Sequence, residues 1–482
     1  MNSERMKEVR VSDFLNVTDY VANGSFASLK ENVIYRDKPD YAVMIRLADY
    51  NSGWNKDYVY IDEDGFNFLK KSTVLPGDVI ISNVGANAGT VFRAPDLGMP
   101  MTLGPNSVLV KPKQDKPYLK DYIYYFFVSP KGQHILKSIL SGSAQPKFNK
   151  TDLRSCTVDL PFNEDYERYA KPLVKLDQKI RLNTQINQTL EQIAQALFKS
   201  WFVDFEPVKA KIAVLETGGS QEDATIAAMT AISGKDADVL RVFEREKPEQ
   251  YAELKATAEF FPSAMQDSEL GEIPVSWTLS EIGKEINIVG GATPSTKTPE
   301  FWDNGNINWT TPKDLSDLKD KILLHTKRKI TKLGLGKISS GLLPINTVLM
   351  SSRAPVGYLA IAKIPVAINQ GYIAMKCDKD LSPEFVLQWC TINMPEIVSR
   401  ASGTTFAEIS KKNFNPIPLV KPPVNIVKSY TKQISTIYTL IENNTRENNS
   451  LSQLRDTLLP KLLSGEITLP EAEESAKEAD YV

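Results

Sequence analysis

The chain has 482 residues, of which 42% are hydrophobic and 24% are charged, and its formal net charge is −2. This composition is that of an ordinary globular protein, and the length predicts two or more domains. No run approaches the roughly 18 apolar residues of a membrane helix, and the polar N-terminus is unlike a signal peptide, so we expect no membrane association. Three cysteines, an odd number without metal-ligand spacing, favour the cytoplasm.

The charge is distributed unevenly along the chain. Residues 203–270 carry 14 acidic and 7 basic side chains, and residues 466–482 carry 6 acidic and 1 basic. Because the whole chain has a net charge of −2, the remaining residues carry +10. A basic body favours a polyanionic partner, although ten charges over about 400 residues would also serve solubility.

Residues 1–162 are predicted to form a first, strand-rich domain. β-Branched residues dominate its strand-like runs, glycines flank a turn, and prolines flank a short buried helix. Strands are expected at residues 79–82, 107–111 and 156–161. The turn is expected at residues 85–89 and the short buried helix at residues 121–128.

A long amphipathic helix is predicted within residues 163–208. Its apolar and small residues recur at three- and four-residue spacing, the pattern of a helix that packs along another helix. They are Leu176, Ile180, Leu190, Ala194, Leu197 and Trp201. Pro172 lacks an amide hydrogen, so it either starts this helix or kinks one that begins near Asn163.

The remaining chain divides into four segments. An acidic, partly helical connector precedes a second domain, which is followed by a second long helix and an acidic tail. These segments are residues 209–270, 271–422, 423–465 and 466–482. Pro460 should bend the second helix or end it early.

The second domain and helix repeat the first. Residues 75–82 match 343–350 at an offset of 268, and from Ser141 an offset of 261 holds without interruption into the long helix. A domain followed by a long helix is therefore used twice. The predicted fold class is α+β, with two pseudo-twofold-related domains separated by two long antiparallel coiled-coil helices.

Asparagines interrupt the apolar seam of both helices, at Asn183 and Asn187 in the first and at Asn444 and Asn448 in the second. An asparagine on a coiled-coil seam weakens packing but fixes the register, because its amide needs a polar partner. We predict that these four side chains satisfy one another and set the helix register. The alternative is two unrelated surface helices, which the repeat disfavours.

Several runs resemble a known protein family. Residues 190–208, LEQIAQALFKSWFVDFEPV, are similar to the central conserved region of type I restriction-modification specificity subunits. Residues 451–467, LSQLRDTLLPKLLSGEI, resemble their distal conserved region. Residues 271–277, 290–295 and 309–315 resemble the opening of a target-recognition domain, whereas residues 23–28 lack the Thr-Pro of the matching segment.

The resemblance implies an architecture and partners. Each target-recognition domain would bind one half of an asymmetric site in double-stranded DNA. The paired helices would dock two methyltransferase subunits, and motor-nuclease subunits would complete the complex. The resemblance implies no catalysis and no cofactor on this chain, since S-adenosylmethionine, ATP and Mg would belong to the partners.

Candidate DNA contacts lie in loops at repeat-equivalent places, where Arg, Lys, Asn, Ser and Thr can reach bases or phosphates. In the first domain they are Arg46, Lys56, Asn83, Asn87, Lys147, Asn149 and Lys150. In the second they are Thr293, Lys297, Lys313, Ser352, Arg353, Lys411 and Lys412. Arg353 is the first choice, because a turn before Pro355 would present it outward. Any of them could instead be an ordinary solvated side chain.

The aromatic residues Trp201, Phe202 and Phe205 end the first helix. They either close the core between helix and domain or form part of a docking surface for the methyltransferase.

Two other classes of function remain as alternatives. A protein-interaction scaffold would bridge two partners without reading DNA, which the basic repeats disfavour. An enzyme is disfavoured because no phosphate-binding loop is present and the two histidines, His134 and His325, are not repeat-equivalent.

Overall fold

The computed structural model describes residues 6–54, 57–162, 164–403, 407–464 and 466. The chain divides into two compact units. The first unit holds the described residues up to Ile180 and from Asn449 onward, and the second holds Arg181–Asn448. Each unit combines an α+β domain with parts of both long helices, which confirms the predicted fold class of a domain and helix used twice.

The first unit contains three sheets among its described residues. Its strands are β1 (Met6–Arg10), β2 (Leu15–Asp19), β3 (Ala42–Ile45), β4 (Val59–Ile61), β5 (Thr73–Val74), β6 (Val79–Ser82), β7 (Val91–Arg93), β8 (Met101–Leu103), β9 (Ser107–Pro112) and β10 (Thr157–Pro161). β1 pairs with β10, and the two larger sheets have the orders β2-β9-β6-β7 and β4-β3-β8-β5. β3 and β8 run parallel, so their carboxyl ends meet at one edge.

The sheet containing β6 is buried on both faces. Val79 and Ile81 face a cluster that includes the aromatic helix residues, whereas Ile80 faces the second sheet. This division follows from the alternation of side chains along a strand. The strands predicted at residues 79–82 and 107–111 are therefore confirmed as a buried layer.

The helices of the first unit cover this layer and connect its strands. They are α1 (Val11–Phe14), α2 (Phe26–Asn32), α3 (Leu47–Asn51), α4 (Glu63–Phe68), α5 (Leu119–Val128), α6 (Pro130–Ser138), α7 (Lys150–Ser155) and α8 (Tyr166–Phe202). α5 is the predicted buried helix. It stops at Ser129, whose hydroxyl caps α6 by accepting from the Gly132 amide, and Pro130 occupies the first turn, where no amide hydrogen is needed.

The connector is more ordered than the sequence indicated. It forms four helices, α9 (Glu206–Glu216), α10 (Gln221–Ser233), α11 (Ala237–Glu246) and α12 (Pro248–Phe260). Ser220 begins α10 with a capping box, and Gly234 ends it with a φ of 68°. Met229, Leu240 and Phe261 are buried in the same cluster as the end of α8. The connector, predicted to be partly helical, is therefore helical over most of its length.

The second unit repeats the sheets of the first. Its strands are β11 (Met265–Gln266), β12 (Ile273–Pro274), β13 (Thr278–Glu281), β14 (Asn287–Val289), β15 (Ile307–Thr310), β16 (Ile322–Leu323), β17 (Arg328–Ile330), β18 (Thr347–Ser351), β19 (Leu359–Ala362), β20 (Ala367–Ile368), β21 (Tyr372–Lys376) and β22 (Pro418–Lys421). The orders β13-β22, β14-β21-β18-β19-β16 and β17-β15-β20 correspond to the three sheets of the first unit, with β15 parallel to β20.

The helices of the second unit occupy matching places. They are α13 (Ile282–Glu285), α14 (Pro312–Ser316), α15 (Lys332–Leu335), α16 (Pro383–Ile392), α17 (Met394–Ser399), α18 (Lys411–Phe414) and α19 (Val424–Ser464). β18 alternates as β6 does, since Val348 and Met350 face the large cluster and Leu349 faces the other side.

The offset of 268 predicted for residues 75–82 is wrong by one residue. Ser82 pairs with Ser107 on β9, and Ser351 pairs with Tyr372 on β21, so Ser82 corresponds to Ser351 rather than to Met350. The turn that returns to the strand is one residue longer in the first repeat. Its closing glycine amide bonds back from Gly89 to Ser82, as Gly357 does to Ser351.

The two long helices pack antiparallel through the predicted seam. In the first unit, Leu176 shares a cluster with Leu451, Leu458 and Leu462. In the second, Trp201 and Ala194 of α8 share a cluster with Ile441 of α19.

Both prolines lie inside these helices. Pro172 lies inside α8, which begins at Tyr166, so this proline does not start the helix. Pro460 is internal to α19 and does not end it. Leu459, Leu462 and Leu463 around Pro460 are buried, and this packing offsets the missing hydrogen bond.

Candidate nucleic-acid interface

The four seam asparagines form two pairs in the second unit. The Asn183 Nδ2 donates to Asn448 Oδ1 at 3.1 Å, and the Asn444 Nδ2 donates to Asn187 Oδ1 at 2.8 Å. Asn183 and Asn187 are each 2% exposed, so their amides depend on protein partners, and the half-buried Asn444 and Asn448 supply them. The pairing fits one antiparallel alignment; that it sets the register stays a prediction.

A carboxyl group joins this polar layer. Asp320 Oδ2 accepts from Asn187 Nδ2 and from the Thr445 hydroxyl, each at 3.0 Å. Burial raises the pKa of Asp320, while the two hydrogen bonds partly oppose that rise. The segment that precedes β16 is thereby tied to both long helices within the second unit.

Lys321 continues the same contact. Its ammonium donates to Glu191 at 2.8 Å, and the other Glu191 oxygen accepts from the Tyr438 hydroxyl at 2.9 Å. The Gln388 amide on α16 also donates to Glu191, at 3.1 Å. Sequence reasoning missed these residues, because isolated charged positions give no signal of their partners.

The aromatic cluster at the end of α8 belongs to the core. Trp201 is 0% exposed, Phe202 7% and Phe205 8%. Phe202 lies within aromatic contact of Trp277, Phe385 and Tyr430. Of the two predicted roles, closing the core between helix and domain is therefore the one that the geometry supports, and the rings offer no docking surface on the chain alone.

A group of loops converges at one end of the first domain. This first loop cluster consists of residues 46–49, 83–89, 104–106 and 141–150. Backbone hydrogen bonds join Asn83 to Asn106 and to Phe148, and they join Gly104 to Ile45. The structure therefore brings together the predicted residues Arg46, Asn83, Asn87, Lys147, Asn149 and Lys150.

Most of these side chains also have internal partners. Arg46 is bound by Asp49 at 2.7 Å, a contact that raises the pKa of the guanidinium. Asn83 donates to the Phe148 carbonyl, and Asn149 caps α7. Lys147 and Asn87 are exposed, whereas Lys56 lies outside the described residues.

The equivalent loops converge in the second domain. This second loop cluster consists of residues 290–297, 311–314, 352–357, 369–371 and 407–412. Hydrogen bonds join Ser352 to Gly371 and Ile409, and they join Ala292 to Ile368. A Cβ on Gly291 would lie 2.1 Å from the Ile368 carbonyl oxygen, so only glycine permits this approach. These loops therefore bring Thr293, Lys297, Arg353, Lys411 and Lys412 into one surface region, whereas the predicted contact Ser352 is buried among them.

The Arg353 side chain, which was predicted to point outward from its turn, has a charged partner within the domain. Its guanidinium lies 3.6 Å from the Glu408 carboxylate, and both side chains are about two-fifths exposed. The buried Ser352 hydroxyl also donates to Glu408, at 3.3 Å. Lys313, on α14, is exposed beside Pro312, which contacts Gly371.

Lysines in the two clusters differ in their charge partners. Lys150 and Lys411 occupy matching positions at the start of α7 and α18. Lys150 bonds Asp19 at 2.9 Å, but Lys411 lies beside Gly290 instead. Among the described residues, five predicted lysines form no ion pair: Lys147, Lys297, Lys313, Lys411 and Lys412.

The residues Asn369 and Gln370 were missed by the sequence reasoning. They lie between β20 and β21, and Thr293 donates its hydroxyl hydrogen to Gln370 Oε1 at 2.6 Å. A polar Asn-Gln-Gly turn directly after a buried strand was the available signal. By sequence alone, this turn cannot be distinguished from an ordinary connecting turn.

Within the described residues, no group of three or more His, Cys, Asp or Glu side chains is placed to hold a metal ion.

None of the described helices is long and apolar enough to cross a membrane.

Comparison with known proteins gives the family. The family model described as "Type I restriction modification DNA specificity domain" matches residues 3–192 and 274–453. The HindI specificity subunit of Haemophilus influenzae is 30% identical over 417 residues, covering 82% of this chain and 88% of that protein. The MjaIX specificity subunit of Methanocaldococcus jannaschii is 31% identical over 191 residues, covering 39% of this chain and 44% of that protein.

A solved type I restriction-modification S subunit from M. genitalium is 12% identical, with a TM-score of 0.47, and the match covers 96% of this chain and 97% of that one. The two matched regions of the family model are the two repeats, and together they cover more than half of the chain. The chain therefore belongs to the type I restriction-modification DNA specificity subunits, which are non-catalytic DNA-recognition subunits.

Proposed function

We propose that the chain reads a bipartite, asymmetric site in double-stranded DNA, with each loop cluster contacting one half. The observation that carries this proposal is the presence of two loop clusters on the same strand framework with unlike side chains. Arg46 follows β3 where Thr311 follows β15, and each heads a capping box on the next helix. Equivalent positions with different hydrogen-bonding groups would read different bases.

The charge distribution supports phosphate binding at both clusters. The unpaired lysines would contact backbone phosphates, which carry most of the affinity but no sequence information. Lys147 would serve the first cluster, and Lys411 and Lys412 would serve the second. Asn87 and Arg353 are the proposed contacts to base edges, whereas Asn83, which donates to the Phe148 carbonyl, and Thr293, which donates to Gln370, would position the loops.

The long helices would dock two methyltransferase subunits, one for each repeat, and motor-nuclease subunits would join that complex in the cytoplasm. S-adenosylmethionine, ATP and Mg would be bound by those partners. Since Trp201 and its neighbours are buried, a docking surface has to lie elsewhere. Leu182, Ile186 and Ile193 are 52%, 40% and 49% exposed along α8. We assign the docking of one of the two methyltransferase subunits to this apolar row, because the repeat-equivalent positions on α19 include the polar residues Asn443 and Glu447.

The docking proposal is tested by native mass spectrometry of the complex co-expressed with methyltransferase. The expected stoichiometry is two methyltransferase subunits to one chain. Ile193→Glu should lower the occupancy, because a carboxylate would be placed in an apolar contact. Val242→Glu, at an equally exposed valine on α11, is the control. Equal occupancy in both variants would rule out the α8 row.

DNA reading is tested by sequencing the methylome of cells with and without this chain in the presence of its partners. We expect methylation at a motif of two unlike halves separated by unread base pairs. A complex that assembles but methylates no defined motif would favour the scaffold alternative.

A further inference from the structure

The carboxamide of Gln370 on the second loop cluster is oriented by a side-chain hydrogen bond. The side chain is exposed, and its Oε1 accepts the Thr293 hydroxyl hydrogen at 2.6 Å. The residues on each side are also fixed. Asn369 accepts from the Gly371 amide at 2.9 Å, and Gly371 in turn accepts from the Ser352 amide at 2.8 Å. An exposed glutamine ordinarily loses rotamer freedom on binding, and here part of that loss has already occurred.

The groups left free on Gln370 match one base edge. Within the described residues the Nε2 hydrogens have no acceptor, and one lone pair of Oε1 remains available. A donor and an acceptor side by side complement the N7 acceptor and N6 donor that adenine presents in the major groove. Guanine presents two acceptors at the same place and would leave the Gln370 oxygen unpaired.

We propose that Gln370 reads one adenine in the half-site bound by the second domain, with Thr293 as its positioning residue. This inference rests on the proposed DNA-reading function. Lys411, whose ammonium lies beside Gly290 on the adjoining loop, would bind a backbone phosphate. Gln370 then supplies sequence information, and Lys411 supplies affinity alone.

The first domain has no equivalent reader. Gly104 and Asn369 each donate an amide hydrogen to the strand residue before a helix cap, Ile45 or Thr310 respectively. Pro105 therefore occupies the place of Gln370. Proline offers no side-chain donor or acceptor, so the first domain cannot make this contact from the equivalent position.

The test uses the full chain in complex with its methyltransferase subunits and a random duplex library. The selected site is determined for the wild type, for Gln370→Ala and for the control Gln250→Ala, an exposed glutamine on α12. We expect Gln370→Ala to lose about 5- to 150-fold discrimination at a single A·T pair of one half-site. All other positions should stay as in the wild type, and Gln250→Ala should change none.

Three further measurements separate reading from folding. Placing 7-deazaadenine at that position should weaken wild-type binding but not further weaken Gln370→Ala, because the N7 acceptor is removed from the DNA. Thr293→Val should reduce discrimination at the same base pair. Lys411→Ala should weaken binding to all sequences and lower the salt dependence by about one phosphate contact.

The outcomes are distinct. If the wild-type complex selects no sequence, the proposed function fails and this inference fails with it. If the wild type selects a bipartite site that Gln370→Ala and 7-deazaadenine leave unchanged, the inference alone is wrong. Uniform weakening by Gln370→Ala would make the residue a backbone contact and would also overturn it.

Discussion

The buried amide pair between Asn187 and Asn444 gives a quantitative test of the helix register. Replacing Asn187 with Leu removes the acceptor of the Asn444 amide and a donor to Asp320. Replacing Asn444 with Leu removes only the donor to Asn187. The informative set is therefore Asn187→Leu, Asn444→Leu and the double variant.

The expected magnitudes follow from the groups left without partners. Each buried polar group without a partner costs about 1–3 kcal/mol, and an added buried leucine returns about 1–2 kcal/mol. Asn187→Leu strands the Asn444 amide and removes one of two donors to Asp320, which keeps the Thr445 hydroxyl, so it should reduce the free energy of unfolding by about 0–3 kcal/mol. Asn444→Leu strands only the Asn187 oxygen, so its effect should lie between a gain of about 1 and a loss of about 2 kcal/mol. The double variant should cost less than the sum by at least about 1 kcal/mol, because neither amide remains stranded.

Urea unfolding of the full chain, followed by tryptophan fluorescence, measures these values. Five of the six tryptophans lie in the second unit, so the signal reports mainly on the unit that contains the pair. Asn443→Leu is the matched control, since Asn443 is the exposed neighbour on the same helix. Additive effects of the two single substitutions would show that the amides do not interact, and an unchanged DNA motif in the double variant would show that they do not set the register.

Three other substitutions have defined expected results. Burial raises the pKa of Asp320 above its usual 3.8, so the folded state holds this proton more tightly than the unfolded state. The free energy of unfolding should therefore fall as the pH rises from about 3.8 through the pKa of Asp320 in the folded protein. Asp320→Asn should remove this decline, as urea midpoints measured against pH would show. Gly291→Ala should cost about 1–3 kcal/mol by urea unfolding, because its Cβ meets the Ile368 carbonyl, whereas Gly336→Ala, with ordinary contacts, should be nearly neutral. Lys147→Ala should lower the slope of log affinity against log salt by about 0.9 without changing the motif, as fluorescence anisotropy would show.

The repeated framework was predictable because hydrophobic periodicity, and the glycines and prolines that end each element, determine it locally. Alternating or continuous apolar runs identified β6 and β9, and the three- and four-residue spacing identified α8 and α19. The one-residue offset error arose at a turn, where repeat copies differ in length without changing the strands. The helical content of the connector was underestimated because its helices bury small residues, such as Ala228 and Ala258. Such residues contribute little to a pattern of hydrophobic periodicity.

The site was less predictable, because it depends on contacts between distant loops. Sequence reasoning found Thr293 and Lys411 as separate polar loop residues, but not that their loops pack on the turn carrying Gln370. It also placed Arg353 outward without Glu408, which is 55 residues further along the chain. The burial of Trp201 was left open between two roles, since an aromatic helix end is apolar in either case.

Divergence within the duplicated framework has a direct consequence for recognition. Where the first repeat has Lys150 paired with Asp19, the second has Lys411 beside a glycine, and where the first has Pro105, the second has Gln370. Neither exchange alters the strands that position the loops, because each lies at a strand end or a helix start. A single fold can therefore hold its loops in a fixed place while the number of lysines free to bind phosphate and the base preference change separately. On our proposal, this separation is what allows one chain to bind two unlike half-sites, since affinity and sequence reading are carried by different residues.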